Sequence, residues 1–208
     1  MIRPVIRLPF LRLGGLALCA LALSGCISLL PKSKPATLYR FSAAPAAAAQ
    51  GPARASAAAV FLTNGTFQDE AAGDRMLTVS GGQAAYVAQS RWVSPAEVLF
   101  GQAVAQAFDP SPIRLIARGQ QGRYAYALRL DVRNFEARYD AGPKAAPVVV
   151  VRIHAALSKS DQSSVGEKDF EVRVPASDNR VSEIVTAYRK AIGDALGQIV
   201  AWTGASAV

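Results

Sequence analysis

The clearest hydrophobic pattern in the chain lies near its C-terminus, where apolar residues recur every three or four positions from Val181 to Trp202. This spacing is typical of an amphipathic helix with one apolar face. Ser177, Asp178 and Asn179 precede the helix and offer side chains that can cap its N-terminus. We expect a long helix that packs on a sheet; a helix that lies on a membrane surface is the alternative.

A second helix is predicted over residues 94–108. Ser94, Pro95 and Glu97 have the order of a capping box with proline at the first helical position. Apolar residues follow at intervals of four: Phe100, Val104 and Phe108. The sequence DPSP at 109–112 ends the pattern, because proline interrupts helical hydrogen bonding.

Alternation of apolar and polar positions predicts β-strands elsewhere. The longest covers residues 124–139, and its phase changes near Arg133 and Asn134, which predicts a β-bulge. Shorter strand-like runs cover residues 37–42, 59–65, 75–80, 83–93, 112–118, 148–158 and 167–175. The run 59–65 ends in Asn-Gly and predicts a turn there, whereas the Ala- and Pro-rich stretch 43–58 predicts a loop.

These elements predict an α+β fold in a single domain over residues 37–204. Its sheet is expected to be mainly antiparallel, because two pairs of neighbouring runs have the pattern of hairpins. Two main helices would cover the sheet and form an α/β sandwich.

The run VSGGQ at residues 79–83 differs by one conservative change from LSGGQ, the signature of ABC-transporter ATPases. In those enzymes the signature opens a helix that faces a nucleotide phosphate, and a separate P-loop holds the nucleotide. This sequence has no G-x-x-x-x-G-K-[ST] motif, and a strand-like run follows the signature. Because Gly-Gly suits a tight hairpin turn, we predict a hairpin here and no ATPase.

The N-terminus has the pattern of a secretory signal. Arginines at positions 3, 7 and 12 supply positive charge, and the apolar stretch from Leu11 to Leu23 is too short to span a bilayer comfortably. The sequence then reads Leu-Ser-Gly-Cys, which resembles a bacterial lipobox that is cut between Gly25 and Cys26. An ordinary cleaved signal with a stray cysteine is the alternative.

The lipobox predicts a signal peptide over residues 1–25 and a lipidated tether over residues 26–36, with covalent lipid on Cys26. The other cysteine, Cys19, leaves with the signal, so the mature chain has no free thiol and no disulfide. Ile27 stands where an aspartate would, in many Gram-negative bacteria, retain a lipoprotein at the inner membrane. We therefore expect a protein that faces the periplasm from the inner leaflet of the outer membrane.

The formal net charge is +8, and removal of three arginines with the signal lowers it to +5. A basic chain suggests nucleic acid as a partner, but the basic residues are scattered and the chain is expected to be exported. We therefore predict no nucleic-acid partner. Attraction to anionic headgroups or to an acidic partner is one interpretation of the charge, and a solvated face is the other.

Candidate catalytic groups are few. His154 is the only histidine, so a histidine-rich metal site is excluded, and no G-x-S-x-G motif is present. The acidic residues of the run 167–173 alternate with Lys168 and Arg173, which is typical of an exposed strand face. We predict no enzyme activity, no metal, and no cofactor other than the covalent lipid.

A set of short motifs follows in order along the chain: Cys26, Leu38-Tyr39, Arg75, Tyr86, Arg91-Trp92, Pro95 and the helix to Phe108. In this order they resemble the ABC-type transport auxiliary lipoproteins, PqiC-like proteins among others. Members of that family accompany MCE-type lipid transport systems of Gram-negative bacteria. Tyr39, Arg75, Arg91 and Trp92 are the family-pattern positions; the resemblance assigns them no specific role, and Trp92 is expected in the core.

The resemblance implies an α/β sandwich and a non-catalytic role. It also implies an MCE-domain protein and an ABC permease with its ATPase as partners, and a phospholipid or another lipid as cargo. Some members are expected to form ring-shaped homo-oligomers. Two other hypotheses remain open, namely a stand-alone lipid or small-molecule binder and a lipoprotein that assists envelope assembly.

Overall fold

The computed structural model describes residues 35–42 and 59–207. The predicted signal peptide, the cleavage site at Gly25 and Cys26, most of the tether and the 43–58 loop lie outside the described residues. The described strands are β1 (Thr37–Tyr39), β2 (Ala59–Leu62), β3 (Arg75–Ser80), β4 (Gln83–Trp92), β5 (Arg114–Ile116), β6 (Tyr126–Arg138), β7 (Val148–Lys159) and β8 (Ser164–Pro175). The described helices are α1 (Asp69–Ala72), α2 (Ala96–Phe108) and α3 (Val181–Ser206).

Strand β6 organises the sheet. Along one edge it pairs with β7 over its whole length, and β7 pairs with β8; both pairings are antiparallel. Along its other edge β6 pairs in parallel with β2 at one end and with β3 at the other. Beyond them the sheet continues to β5 through β2 and to β4 and β1 through β3. The sheet is mixed, its antiparallel ladders hold most of the paired residues, and the predicted α+β class is confirmed.

The predicted bulge in β6 is confirmed. The register with β7 shifts between Val132 and Asn134. Before the shift Val132 faces the core, and after it Phe135 does, although the two are an odd number of residues apart. The inserted residue thus turns the second half of the strand over, as a β-bulge does.

The predicted turn at Asn64-Gly65 is wrong. The chain continues alongside β6 after β2: the Thr63 N–H donates to the Leu128 carbonyl at 2.9 Å, and Phe67 forms a bridge with Val132. Gly65 lies so close to β6 that a Cβ atom there would stand 1.8 Å from the Leu130 carbonyl oxygen. The two backbones can therefore approach closely at Gly65, because glycine has no Cβ atom.

The hairpin at VSGGQ is confirmed. Strands β3 and β4 pair antiparallel, and Ser80 stands opposite Gln83. Gly81 and Gly82 form the turn with φ angles of 53° and 83°, a region that glycine enters without steric cost. The signature-like run is thus a β-turn.

The long C-terminal helix packs as predicted from its apolar stripe. Helix α3 lies across β7 and β8, and α2 packs against α3. The buried residues of α3 form one face: Ile184, Val185, Ala187, Tyr188, Ala191, Ile192, Ala195, Leu196, Ile199 and Thr203. Because this face lies in the core, it is not free to lie on a membrane. No helix in the described ranges combines the length and apolar character needed to cross a bilayer.

The predicted helix caps are wrong in detail. Helix α2 begins at Ala96 after Pro95, no side chain caps it, and the Ala96 N–H donates to the Gly73 carbonyl at 2.9 Å. Helix α3 likewise follows Arg180 without a side-chain cap, and Asp178 accepts a hydrogen bond from the adjacent Asn179 N–H instead. A backbone carbonyl from another segment therefore satisfies one of the N–H groups at the start of α2 that have no partner within the helix.

Asp131 of β6 holds the segment that follows β2 through hydrogen bonds to Thr66. Its Oδ1 atom accepts hydrogen bonds from the Thr66 N–H at 2.8 Å, from the Thr66 hydroxyl at 3.0 Å and from the Arg129 guanidinium at 3.1 Å. Burial raises the pKa of this carboxyl, but the hydrogen bonds from Thr66 and Arg129 outweigh burial and hold the pKa below its usual value.

We expect Gly65→Ala to destabilise the protein by about 1–3 kcal/mol or more, because the new methyl group overpacks a site already filled by the β6 backbone. Urea unfolding followed by circular dichroism measures the change. Gly101→Ala is the matched control. It lies in the interior of α2 with open space around its Cβ position, so it should raise stability by roughly 0.5–1 kcal/mol. Equal midpoints for the two variants would contradict the close approach at Gly65.

A second prediction concerns acid stability. A carboxyl whose pKa is lowered on folding stabilises the native state above the unfolded pKa of about 3.9, and this contribution is lost as the pH falls through the folded pKa. Asp131→Asn should therefore lower stability at neutral pH and make the loss of stability below about pH 4 less steep. Unfolding free energies measured across that range test this, and parallel curves for the two proteins would refute it.

Candidate interaction site at the start of helix α2

Three neighbouring strands bring the four family-pattern positions together. Tyr39 of β1 stands beside Trp92 of β4 in the parallel ladder, and Arg75 of β3 stands opposite Arg91 of β4. The sequence separates Tyr39 from Trp92 by more than fifty positions, and the sheet makes them neighbours. The lipid-anchor position Cys26 and the cleavage position Gly25 lie outside the described residues.

Trp92 faces inward and belongs to an aromatic cluster. It is 2% exposed, and its ring lies edge-to-face with Phe41 at 5.0 Å and with Tyr188 at 5.3 Å between centroids. Phe135 joins the cluster at 4.9 Å from Tyr188. Complete burial raises the pKa of the Tyr188 phenol, whose hydroxyl donates to the Leu77 carbonyl at 3.5 Å. Trp92 is therefore a core residue, as expected.

Backbone hydrogen bonds fix the connection from β4 to α2 on both sides. The Trp92 N–H donates to the Asp74 carbonyl at 2.7 Å, and the Val93 N–H donates to the Tyr39 carbonyl at 2.8 Å. With the bond from Ala96 to Gly73, three backbone N–H groups between residues 92 and 96 donate to carbonyls of other segments. These hydrogen bonds therefore fix the start of α2 relative to β1 and β3.

Both arginine side chains face outward, and each contacts a neighbouring side chain. Arg91 forms an ion pair with Asp74 at 2.8 Å, and both side chains are close to half exposed. The Arg75 guanidinium lies 3.8 Å from the centroid of the Tyr86 ring, and the Tyr86 hydroxyl donates to the Glu70 carbonyl at 3.0 Å. Such exposed contacts contribute little to stability, but they restrict the positions of the two guanidinium groups.

Three apolar side chains of β1, of the β4–α2 connection and of α2 are also exposed, and of these the sequence motifs included only Leu38. Leu38 is 60% exposed, Val98 46% and Val93 41%. Leu38 and Val93 lie on the face of the sheet opposite Trp92, whereas Val98 lies on the side of α2 opposite its buried residues.

A small cleft lies between α2 and the segment after β2. It holds about 90 Å³ and is lined by apolar residues together with Thr66, Glu97 and Arg118. Ligand sites for drug-sized molecules typically hold roughly 300–1,000 Å³. This cleft is therefore too small for a lipid.

His154 lies on the exposed face of the sheet, as expected. Its Nδ1 atom is 3.0 Å from Asp169, which also pairs with Arg152 at 3.1 Å and with Arg133 at 3.2 Å. The hydrogen bonds from Arg152 and His154 lower the pKa of the Asp169 carboxyl. Within the described residues, no three His, Cys, Asp or Glu side chains are grouped so that they could hold a metal ion. This cluster is a surface ion-pair network.

Comparison with known proteins identifies a family and a fold. The model of a family described as the ABC-type transport auxiliary lipoprotein component matches residues 39–200. That range includes β4, α2 and Tyr39, the last residue of β1. None of the curated proteins matches this chain in sequence.

Solved structures share the fold. The crystal structure of protein XCC0632 from Xanthomonas campestris has a TM-score of 0.67 and 23% identity, and the match covers 82% of this chain and 96% of that one. A crystal structure of an uncharacterized protein has a TM-score of 0.63 and 13% identity, with 81% and 99% of the two chains covered. At these identities the likeness shows the fold alone.

The adjacent residues Trp92 and Arg91 should separate stability from surface contact. We expect Trp92→Ala to cost about 3–5 kcal/mol, because it removes a buried ring from the aromatic cluster. Arg91→Ala should cost less than about 1 kcal/mol, because its ion pair with Asp74 is exposed to solvent and screened. Chemical unfolding of both variants measures this, and a loss for Arg91→Ala as large as that for Trp92→Ala would contradict the assignment.

Proposed function

The chain belongs to the ABC-type transport auxiliary lipoprotein component family, and we propose that it is the non-catalytic, periplasm-facing lipoprotein of an MCE-type transport system. In this role it helps to move lipids between the inner and outer membranes. The observation that carries the proposal is the family match, which extends from Tyr39 to Val200 and so includes most of the described domain.

The anchor is the first part of the proposed role. The lipobox supports covalent lipid on Cys26, and three acyl chains at about 0.8 kcal/mol per buried methylene would give effectively permanent attachment. Ile27 after the cysteine favours the inner leaflet of the outer membrane over retention at the inner membrane. The domain then faces the periplasm at the end of a short tether.

Contact with partners is the second part. The run VSGGQ is a hairpin turn in this chain, so ATP hydrolysis is assigned to the ATPase of the transport system on the cytosolic side. This chain would contribute exposed surfaces, of which the junction beside Arg75 and Arg91 is the best defined. The proposed partners are an MCE-domain protein and, through it or directly, the ABC permease with its ATPase.

The alternative of a stand-alone lipid binder receives less support. Such a protein needs a deep apolar pocket between helix and sheet. At the α2 end of the sheet that space holds only about 90 Å³ and includes charged groups. The groove between β8 and α3 is larger, about 690 Å³, but it is open to solvent and is lined by the charged Glu171, Arg173 and Asp194. A scaffold that contacts partners fits this packing better than a carrier that encloses a lipid.

Affinity purification of the acylated protein from its native membrane tests the proposal, with co-purifying proteins identified by mass spectrometry. We expect an MCE-domain protein together with its permease and ATPase. Recovery of the lipoprotein alone, or with envelope-assembly factors, would refute the transport role.

The variant Cys26→Ala is the control for the anchor. It should leave an uncleaved or soluble precursor that carries no acyl chains and no longer recovers the membrane-bound partners. Labelling of this variant by a radioactive fatty acid would show that Cys26 is not the acylated residue.

A further inference from the structure

Strand β8 is a long free edge of the sheet. Among the described strands β1, β5 and β8 are the edge strands, and β1 and β5 have three residues each whereas β8 has twelve. Within the described ranges, no backbone hydrogen bond joins β8 to a strand or helix other than β7. The N–H and C=O groups on the outer side of β8 are therefore open to a further strand.

A groove lies between the outer part of β8 and helix α3. It holds about 690 Å³, and Val172, between Glu171 and Arg173, lines it on the β8 side. Small residues at intervals of four line it on the α3 side: Gly193, Gly197 and Ala201. Because helix residues four apart lie on one face, this side of the groove carries no large side chain over two turns. A Cβ atom at Gly197 would meet nothing within 4 Å.

The dimensions of the groove suit an extended chain. From Gly193 to Ala201 the helix advances by eight residues, which is about 12 Å at 1.5 Å per residue. A strand advances about 3.3 Å per residue, so roughly four residues of an added strand would lie along this length. Every second side chain of that strand would point toward α3, where the small residues leave room for it.

The other face of β8 is mainly acidic. Phe170 is buried toward α3, so the side chains that alternate with it lie on the opposite face: Glu167, Asp169, Glu171 and Arg173. The three carboxylates have neighbours on the sheet, but their side chains are still 62%, 41% and 42% exposed, in sequence order. Opposite charges in neighbouring strands attract each other. An added strand is therefore favoured when its residues on this face are basic.

We propose that the outer edge of β8 is a docking site for an extended segment of another protein, which joins the sheet as a further strand. Its apolar side chains would point toward Val172 and the small residues of α3, and the alternating basic ones would lie beside the carboxylates. Strand addition of this kind combines backbone hydrogen bonds with space for alternate side chains. The inference goes beyond the proposed function, because it depends neither on the lipid anchor nor on the transport system.

A second copy of the chain fits this edge less well. In a two-fold antiparallel contact that uses most of β8, Asp169 would stand opposite its own counterpart or opposite Glu171 of the other copy. Like charges directly opposite each other destabilise a strand pair. Charged side chains on an edge strand also discourage unspecific pairing. The carboxylates that oppose self-pairing thus favour a basic segment, which gives the edge its selectivity.

Model peptides test the docking site. Three labelled nonapeptides are compared: one alternates valine with lysine, one alternates valine with glutamate, and one has the valines and lysines of the first in a non-alternating order. Their binding to the acylated full-length protein in a non-ionic detergent is measured by fluorescence anisotropy. We expect the alternating valine–lysine peptide to bind at least about tenfold more tightly than the other two, since it alone has both the alternation and the charge.

A pair of glycine variants tests whether the peptide occupies the groove. Gly197→Leu places a large side chain in it, and the helix tolerates the change because leucine is a better helix former than glycine. This variant should weaken binding by about tenfold or more. Gly101→Leu is the matched control, because Gly101 lies inside α2 with open space at its Cβ position. It should leave binding unchanged, and binding that neither variant alters would place the peptide elsewhere and overturn the proposal.

Amide hydrogen exchange locates the added strand. On binding of the valine–lysine peptide, alternate amides of β8 should exchange more slowly, whereas β1 and β5 should be unaffected. Protection of these β8 amides in the free protein would show that the edge is already covered. Protection that needs no peptide and rises with protein concentration would assign the edge to a second copy. Either result, or equal or absent binding of the peptides, would overturn the docking site and leave the transport role untouched.

Discussion

The inward orientation of Phe135 is the constraint on which the rest of the domain depends. The bulge between Val132 and Asn134 turns this ring to the core side of β6. There it lies 5.4 Å from Phe41, 5.2 Å from Phe67 and 4.9 Å from Tyr188 between ring centroids. Its neighbours come from a position two residues after β1, from the segment after β2 and from helix α3, so one ring joins parts that are distant in sequence.

At the bulge, a side chain from another segment accepts a backbone hydrogen bond of β6. An extra residue disrupts the ladder, and the Phe135 N–H then donates to the Gln68 side-chain oxygen at 2.8 Å. The Gln68 amide in turn donates to Glu136 at 3.2 Å. A buried N–H without such a partner would cost about 1–3 kcal/mol. The close approach at Gly65 brings Gln68 to this position, so glycine, bulge and aromatic cluster form one arrangement.

The sequence predicted the features that depend on local periodicity and missed those that depend on distant partners. The long helix, the Gly-Gly hairpin and the bulge follow from side-chain alternation and turn chemistry within a few residues. The parallel pairings and the bond from Ala96 to Gly73 join segments far apart in the chain, so neither the extended path at Gly65 nor the missing caps could be seen. At the site, the family resemblance identified Tyr39 and Trp92 from the sequence, but only the structure shows that they are paired in adjacent strands.

At the junction of β1, β4 and α2, each strand places one side chain in the core and its neighbour at the surface. On β4, Trp92 enters the aromatic cluster while its neighbour Arg91 pairs with Asp74 at the surface. Strand β1 does the same, since Leu38 is exposed and Phe41, two residues after its end, is 2% exposed. Burial of Phe41 therefore holds the short edge strand β1 against the core, while the side chains that alternate with it stay at the surface.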